Sequence, residues 1–408
     1  MRTLKFTAAA ALVAAMGLAG PAAAQNLVFE GGRVIVGDGS APIENGTVVV
    51  ENGKITQVGP AASVKAPAGA TRVDAKGKTI MPTLINTHEH LSQTKEGIDT
   101  DFKRRAYFGV SASMSLGIDN TEPPYQYRAA QSAASSRYFT AGRGITRHEP
   151  GRGGEAYWIN TAEEGIKAVG EQAAKKVDIL KIWVDDRDEK YEKLTPALYG
   201  PIIDAAHKAK LRVTAHIFDL ADAKGLLRAN LDAFAHGVRD ADVDDEFMGL
   251  LKQKPNFVLN PNMGARGAVA DASWLKAALP AAEYAKVEAG NVANEGAAKG
   301  HAIQARNLKK MSDAGAVIVM GTDGNTPYAP HFEMEDMVLA GMSPMKVLVS
   351  ATGDAAKWLR IPDSGTLAVG KTADILVLDG NPLEDIKNTR RINAVYLKGV
   401  AVDRKAYP

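Results

Sequence analysis

The sequence of 408 residues contains no cysteine. It therefore forms no disulfide, holds no thiolate-bound zinc and has no cysteine nucleophile. Neither sign of charge is in clear excess, because 49 basic residues stand against 47 acidic ones, and Arg2 and Lys5 account for the difference. A body without a basic surplus gives no reason to expect nucleic acid as a partner. Any catalytic metal must be bound by histidine, aspartate, glutamate or a less usual ligand.

Long hydrophobic runs are also missing after the first 24 residues. Residues 1–24 contain two positive charges, then an apolar alanine-rich run, then three alanines. This order is typical of a secretory signal peptide with a small-residue cleavage site. A membrane anchor is the alternative, but the run is short for a span of about 20 residues. We therefore expect an exported, periplasmic protein that has no membrane contact once residues 1–24 are removed.

Apolar strands and helical stretches alternate through the middle of the chain. Helical patterns occupy 161–176 and 196–210, among others. The candidate strands end at His90, Leu116, Gly144, Val184, His216, Gly237, Asn260 and Asp323. Strands separated by helices in this way predict an α/β fold, a (β/α)8 TIM barrel. Chemistry in such barrels takes place at the carboxyl ends of the strands, so the polar residues found there are the candidates for a site.

Both ends of the chain consist of short strands and turns instead. Residues 47–50 and 55–58 flank Asn52-Gly53, which is a strong hairpin signal. Similar runs recur at 375–378 and 392–397. We expect the two ends to combine into a small β-sandwich domain beside the barrel. The predicted domains are the two parts of the sandwich and the barrel between them, at 25–82, 351–408 and 83–350.

Histidines and an aspartate end several of the apolar runs. Side chains alternate between the two faces of a strand, so His88 and His90 lie on the same face. Their imidazoles can therefore chelate one ion. His216 and His236 each end another run, and Asp323 ends a further one. Singly, each has an ordinary alternative: unrelated histidines, a hydrogen-bonded core histidine, or an aspartate that caps a helix. Their joint occurrence in chain order favours a metal site.

Lys181 is the most informative residue, because apolar neighbours lie on both sides of it and no acid follows it before Asp185. Its amine either snorkels to water or has a function, since burial of an unpaired ammonium is costly. Reaction with carbon dioxide would convert the amine into a carbamate, whose two oxygens can bridge two cations. An unmodified ammonium would repel them.

The order His-x-His, Lys, His, His and Asp resembles the amidohydrolase superfamily. The closer resemblance is to its binuclear subtype with a carboxylated lysine, in the imidazolonepropionase-related, Xaa-Pro dipeptidase-like branch. The segments 81–86, 215–218, 235–237 and 370–375 carry the same resemblance, which extends over residues 26–408. It implies two divalent metal ions per chain, zinc or another metal.

The resemblance also implies which residue binds each metal. One ion would lie on His88, His90, carboxylated Lys181 and Asp323, and the other on Lys181, His216 and His236. A hydroxide would bridge the ions, and Asp323 would act as general base and then general acid. The expected reaction is hydrolysis of an amide bond in a small molecule, such as a peptide carrying a carboxylate. Alternatives are a lactone, ester or phosphotriester hydrolase on the same site, or a non-catalytic barrel scaffold.

Substrate binding is expected from residues near the barrel mouth. Xaa-Pro dipeptidases often have a tyrosine two residues after the fifth-strand histidine, where this chain has Phe218, which cannot donate a hydrogen bond. The candidate substrate-binding residues are His148, Arg147, Arg152, Arg239 and Asn260. An arginine among them would pair with a substrate carboxylate. The alternatives are a solvated loop for the residues from Arg147 to Arg152, an ion pair with Asp240 or Asp242 for Arg239, and a turn role for Asn260. A homo-oligomer is compatible with the sequence.

Overall fold

The computed structural model describes residues 26–130, 136–151, 153–264 and 266–408. The predicted signal peptide and Arg152 lie outside these residues. Within the described ranges, no helix combines the length and the apolar character that a membrane span requires.

The strands are short and are numbered in chain order. They are β1 (Leu27–Val34), β2 (Ile43–Glu51), β3 (Lys54–Pro60), β4 (Thr71–Asp74), β5 (Thr79–Pro82), β6 (Leu84–Glu89), β7 (Val110–Ser115), β8 (Arg137–Thr140), β9 (Ile145–Arg147), β10 (Tyr157–Ile159), β11 (Leu180–Trp183), β12 (Val213–His216), β13 (Ala233–Ala235), β14 (Val258–Asn260), β15 (Val317–Ile318), β16 (Ile375–Leu378), β17 (Ile392–Leu397) and β18 (Val400–Ala401).

The α-helices lie mainly between the central strands. They are α1 (Lys95–Tyr107), α2 (Glu122–Ala129), α3 (Ala162–Ala174), α4 (Pro196–Lys208), α5 (Leu220–Arg228), α6 (Asp245–Lys252), α7 (Ala281–Gly290), α8 (Glu295–Asp313), α9 (Ala329–Leu339), α10 (Pro344–Ser350) and α11 (Gly353–Trp358). Short 3₁₀ helices lie at Ala61–Ser63, Ser273–Ala277 and Ile386–Arg390.

The central strands form the predicted TIM barrel. Strands β6, β7 and β8 pair in parallel, and β11 to β15 pair in parallel in chain order. Backbone hydrogen bonds join the two sets at both junctions. Asp178 N donates to Thr140 O at 2.8 Å, and Thr87 N donates to Met320 O at 3.0 Å. The second junction brings the first barrel strand beside the last.

The third barrel strand ends earlier than the sequence pattern indicated. It ends at Thr140 rather than Gly144, because Gly142 turns the chain with a φ of 62°. The chain then forms β9, which pairs in parallel with β10 and contacts β11 at Ile182. This small insertion places Arg147 at the end of β9 and His148 directly after it.

Helix α3 shows how local sequence sets an element of the barrel. Thr161 and Glu164 form a capping box that begins the helix. Its buried residues are Gly165, Ala168, Val169 and Gln172, whose spacing is that of one helix face. That face packs on α4, and both helices lie within the ranges predicted for them.

The terminal strands form a separate sheet, as expected. It is one hydrogen-bonded sheet in the order β18-β17-β16-β5-β1-β2-β3, with β4 paired to β1. Its core includes Phe29, Val48 and Val377, which belong to a buried cluster distinct from that of the barrel. The hairpin at Asn52-Gly53 has φ values of 51° and 74°, which match the left-handed turn that this dipeptide favours.

Candidate metal centre

Three predicted ligands meet where the first and last barrel strands join. His90 Nε2 lies 2.8 Å from Asp323 Oδ1, and His88 Nε2 lies 3.8 Å from the same atom. The backbone supports this geometry, because Asp323 N donates to His88 O at 2.8 Å. Possible ligand atoms of the three side chains all lie within 4.8 Å of one another, so they can hold one ion.

The other two histidines close the group from β12 and the end of β13. The His216 and His236 rings lie 4.4 Å apart, and the His88 ring lies 5.2 Å from that of His236. His236 Nε2 is 3.5 Å from Asp323 Oδ2. The structure therefore brings together all four histidines and the aspartate that the sequence singled out.

Lys181 is fully buried in the barrel wall, on the strand beside His216. Its Nζ atom makes no hydrogen bond to any described residue. Burial lowers the pKa of Lys181 to about 7, although the charge of Asp323 acts in the opposite direction. A neutral amine is the form that reacts with carbon dioxide. An unpartnered buried amine beside these ligands fits a carbamate bridge between two cations.

The protonation states also suit a metal. Burial lowers the pKa of His88 and of His236 well below the ordinary value, and lowers the pKa of His216 to about 4. Burial alone would raise the pKa of Asp323, but the hydrogen bond from His90 and the nearby imidazoles hold this pKa far below its usual range. Neutral imidazoles and an ionised carboxylate are the donor set that zinc and similar ions take.

Two of the ligands have an uncommon backbone conformation. His236 has a φ of 79° and Asp323 a φ of 58°, both in the left-handed region. A residue with a side chain adopts this region at a cost, and such strain concentrates at functional sites. Glycine is required at position 321, two residues before Asp323, because a Cβ there would lie 2.3 Å from Asn260 Nδ2.

Two further residues hold ligand rings in place. His88 Nδ1 donates to Asn262 Oδ1 at 2.9 Å, which leaves Nε2 towards Asp323. Asp185 Oδ2 lies 3.2 Å from His216 Nε2. Sequence reasoning did not assign Asp185 a role, and its signal was an acid directly after the lysine strand.

Arg239 lies at the centre, as the sequence suggested. Its Nη2 donates to His236 Nδ1 at 3.0 Å, and its guanidinium stacks on Phe218 with 4.4 Å between the guanidinium carbon and the ring centre. The ion pairs considered for it do not form, because Asp242 pairs with Arg306 instead.

The other candidate substrate residues lie in different surroundings. Arg147 Nη2 pairs with Glu192 at 2.6 Å and its Nη1 donates to Asn160 Oδ1, so its guanidinium is already held by two side chains. Asn260 is buried and donates to Thr87 Oγ1 at 2.6 Å inside the barrel. His148 is exposed on the loop after β9, and Arg152 is outside the described residues.

Two aromatic residues flank the ligands at the mouth. Trp183 and Phe218 lie two positions beyond Lys181 and His216, and both are partly exposed. Phe218 packs against the His216 ring at 4.7 Å. The Trp183 ring is 5.5 Å from Lys181 Nζ and occupies the space where a side chain at Gly144 would lie.

Comparisons with known proteins agree on one family. Residues 79–402 match the model of the amidohydrolase family. Ochratoxinase from Aspergillus niger is 25% identical over 278 residues, covering 62% of this chain and 52% of that protein, so the chain spans about half the length of this relative. Imidazolonepropionase from Streptomyces coelicolor is 25% identical over 358 residues, which are 78% of this chain and 81% of that one. A solved structure from Bifidobacterium longum, provisionally called a prolidase, has a TM-score of 0.77 and 26% identity over 95% of this chain and 96% of that one.

Proposed function

The chain belongs to the amidohydrolase family, and from this premise we propose that it is a metal-dependent hydrolase that cleaves an amide C–N bond in a small molecule. The observation that carries the proposal is the convergence of four histidines and Asp323 beside the buried, unpartnered amine of Lys181. The similarity to proteins that carry the names prolidase and ochratoxinase supports the reaction class.

Lys181 prepares the site before any substrate binds. Its amine nitrogen forms a bond to the carbon of carbon dioxide and releases one proton, and the product is an anionic carbamate. With that group, the histidines and Asp323 would hold two divalent cations, for which zinc is our first choice. Bound cations of this kind lower the pKa of a water molecule and polarise a carbonyl group.

Asp323 moves the proton. Its Oδ1 atom lies 2.8 Å from His90 Nε2 and accepts from Gly324 N at 2.8 Å, whereas Oδ2 is 3.5 Å from His236 Nε2. The ionised carboxylate accepts the proton of the attacking water and passes it to the leaving nitrogen as the C–N bond breaks. Without that transfer the amine would depart as an unstable anion.

Arg239 binds a carboxylate of the substrate. Its Nε atom is buried and makes no hydrogen bond to a described residue, and none of the described carboxylates forms an ion pair with it. A guanidinium that has no carboxylate partner is complementary to the carboxylate of a substrate, which it can bind through two nitrogens. Trp183 and Phe218 would supply an apolar wall for the rest of the molecule. We also propose export to the periplasm, from the signal-peptide pattern of residues 1–24.

Hydrolysis of a substrate library tests the proposal. The protein, expressed with bicarbonate and zinc, is assayed on N-acyl amino acids and Xaa-Pro dipeptides, with a lactone and a phosphotriester beside them. Lys181→Ala and Asp323→Asn serve as inactive variants. Cleavage of amides that both substitutions abolish supports the proposal. Turnover of the lactone or phosphotriester alone, or no turnover by the metal-loaded protein, contradicts it.

A further inference from the structure

The metal ligands His88, His90 and Asp323 lie across an irregular junction of the barrel, which we call the seam. Strands β6 and β15 belong to different sheets in the described part of the chain, with no regular ladder between them. Four backbone hydrogen bonds join residues 87–90 to residues 320–324 instead, among them those donated by Thr87 N to Met320 O and by Thr322 N to His88 O. Besides the bond from Asp323 to His88, His90 N donates to Gly324 O at 2.8 Å. These bonds fix the backbone at His88, His90 and Asp323, and buried side chains join the segments around them.

Arg105 of α1 reaches the seam from behind the ligands. It is a large, buried side chain, 1% exposed. Its Nε donates to Glu89 Oε2 at 2.7 Å, and Glu89 stands between His88 and His90 in the chain. Its Nη2 donates to Asn325 Oδ1 at 2.7 Å, two residues after Asp323. One guanidinium thus contacts both sides of the seam.

Asp101 extends the same connection. It lies one helical turn before Arg105 on α1, so both side chains leave the same face of the helix. Asp101 Oδ2 accepts from Ser92 N at 2.8 Å and from Asn325 Nδ2 at 3.2 Å. The backbone just after His90 is therefore tied to the turn that carries Asp323.

Stability alone does not account for this buried pair. Removing two charges from water is expensive, and a buried ion pair is often no more stabilising than apolar side chains of similar size. The pair is not even fully satisfied, because Glu89 Oε1 has no hydrogen-bond partner among the described residues. The planar guanidinium of Arg105 instead fixes the distance between two segments of the chain.

We infer that Arg105 is a positioning residue that sets the geometry of one of two metal sites. The site concerned is the one formed by His88, His90 and Asp323, which we call the seam site. His216 and His236 follow strands of the regular parallel sheet and do not depend on the seam. The inference rests on the proposed function only in that the centre binds metal. Its consequence is that the two sites respond unequally when Arg105 is replaced.

Metal affinity measured on the full chain tests this inference. Arg105→Gln and Arg105→Lys are compared with wild type by competition for Zn²⁺ against a chromophoric chelator, and by the absorption of bound Co²⁺. Arg137→Gln is the matched control, since Arg137 is a largely buried arginine that pairs with Asp363 at 2.6 Å away from the ligands. Circular dichroism monitors the fold of each variant.

The expected result is unequal binding. Arg105→Gln should bind one ion as wild type does and the other about 10–100-fold more weakly, as is typical when a residue behind a ligand is lost. Arg105→Lys should fall between, and Arg137→Gln should keep both affinities. Equal affinities in Arg105→Gln and wild type, or an equal loss at both sites, would overturn the inference.

A milder variant covers the case in which Arg105→Gln does not fold. Asn325→Ala removes one link and leaves the buried ion pair, and a selective, smaller weakening of the same ion supports the inference. An unchanged affinity in Asn325→Ala rejects it. Failure of the proposed function looks different, because a wild-type protein that binds no metal, or binds two ions and cleaves no amide, contradicts that proposal whatever Arg105 does.

Discussion

Asp185 Oδ2 and His216 Nε2 are 3.2 Å apart, and this contact selects which nitrogen of the ring is available to a cation. The negative charge of Asp185 favours the tautomer that carries its proton on Nε2, so Nδ1 retains its lone pair. Asp185 is itself held, since Arg187 Nη1 lies 2.6 Å from Oδ2 and Arg187 N donates to Oδ1 at 2.8 Å. The lysine strand therefore supplies Lys181 and, four residues on, the group that orients the next ligand.

Replacing Asp185 should weaken metal binding while leaving the fold intact. Asp185→Asn keeps the shape but loses the negative charge beside His216 Nε2, and we expect metal affinity to fall by about 10–100-fold. Titration with Zn²⁺ measures the change. Asp186→Asn is the control, because Asp186 is adjacent to Asp185 in the chain but pairs with Lys193 at 3.1 Å and not with a histidine of the site. An equal effect of the two substitutions would show that Asp185 does not orient His216.

Asp323→Asn should remove the proton transfer. Asparagine tolerates the left-handed backbone found at Asp323, so the variant is expected to fold. An amide cannot accept the proton, and we expect kcat to fall by about 10²–10⁴-fold on the best amide substrate. Steady-state kinetics on metal-loaded protein measures this. A variant with near wild-type kcat would exclude Asp323 as the base.

The grouping of His88, His90, His216, His236 and Asp323 could be predicted from the sequence because these residues obey one local rule. His90, His216 and Asp323 each follow an apolar run, and parallel strands of a barrel bring their carboxyl ends to one face. Lys181 was identifiable because a charge stood inside such a run. The Asn52-Gly53 hairpin was predictable for a similar reason, since its turn type depends on two adjacent residues.

The residues that support the ligands obey no such rule. Arg105 and Asn325 are separated by 220 positions, and nothing in the pattern of a helix marks the partner of one of its arginines. Asn260 ends β14 and Asn262 lies two residues later, yet Asn260 bonds to Thr87 inside the barrel whereas Asn262 holds the His88 ring. The left-handed backbone at Asn262 turns its side chain away from that of Asn260. Nothing in the sequence indicates this turn. The early end of β8 depends likewise on the single turn at Gly142.

Arg239→Gln should raise KM only for substrates with a carboxylate. A hydrogen-bonded charge pair is worth about 1.5–3 kcal/mol, so we expect an increase in KM of about 10–100-fold for an N-acyl amino acid. Its amidated analogue should show little change, because it lacks the charge that Arg239 binds. Arg306→Gln, at an exposed pair with Asp242, is the control. Equal increases for both substrates would remove the reason to assign a carboxylate to this position.

His331 gives the protein a defined pH dependence of stability away from the metal centre. Its ring is buried, with Nε2 donating to Phe108 O and Nδ1 beside Thr389 Oγ1, both at 3.1 Å. Burial, with the charges of Arg390 and Arg404, lowers the pKa of His331 to about 4, although the bond to Phe108 acts in the opposite direction. The unfolded chain, with a histidine pKa near 6.5, binds the proton more readily.

The free energy of unfolding should therefore fall as the pH drops from about 6.5 to about 4, by up to about 3 kcal/mol from His331. His331→Gln removes the titrating group, so its deficit relative to wild type should be largest at pH 7 and shrink towards pH 4. Urea unfolding across this range measures the difference. Thr389→Val, which removes a hydrogen-bond partner without a titrating group, should show a deficit that changes less with pH. A His331→Gln deficit in unfolding free energy that stays constant between pH 7 and pH 4 would contradict the prediction. It would mean that His331 has the same pKa in the folded and the unfolded chain.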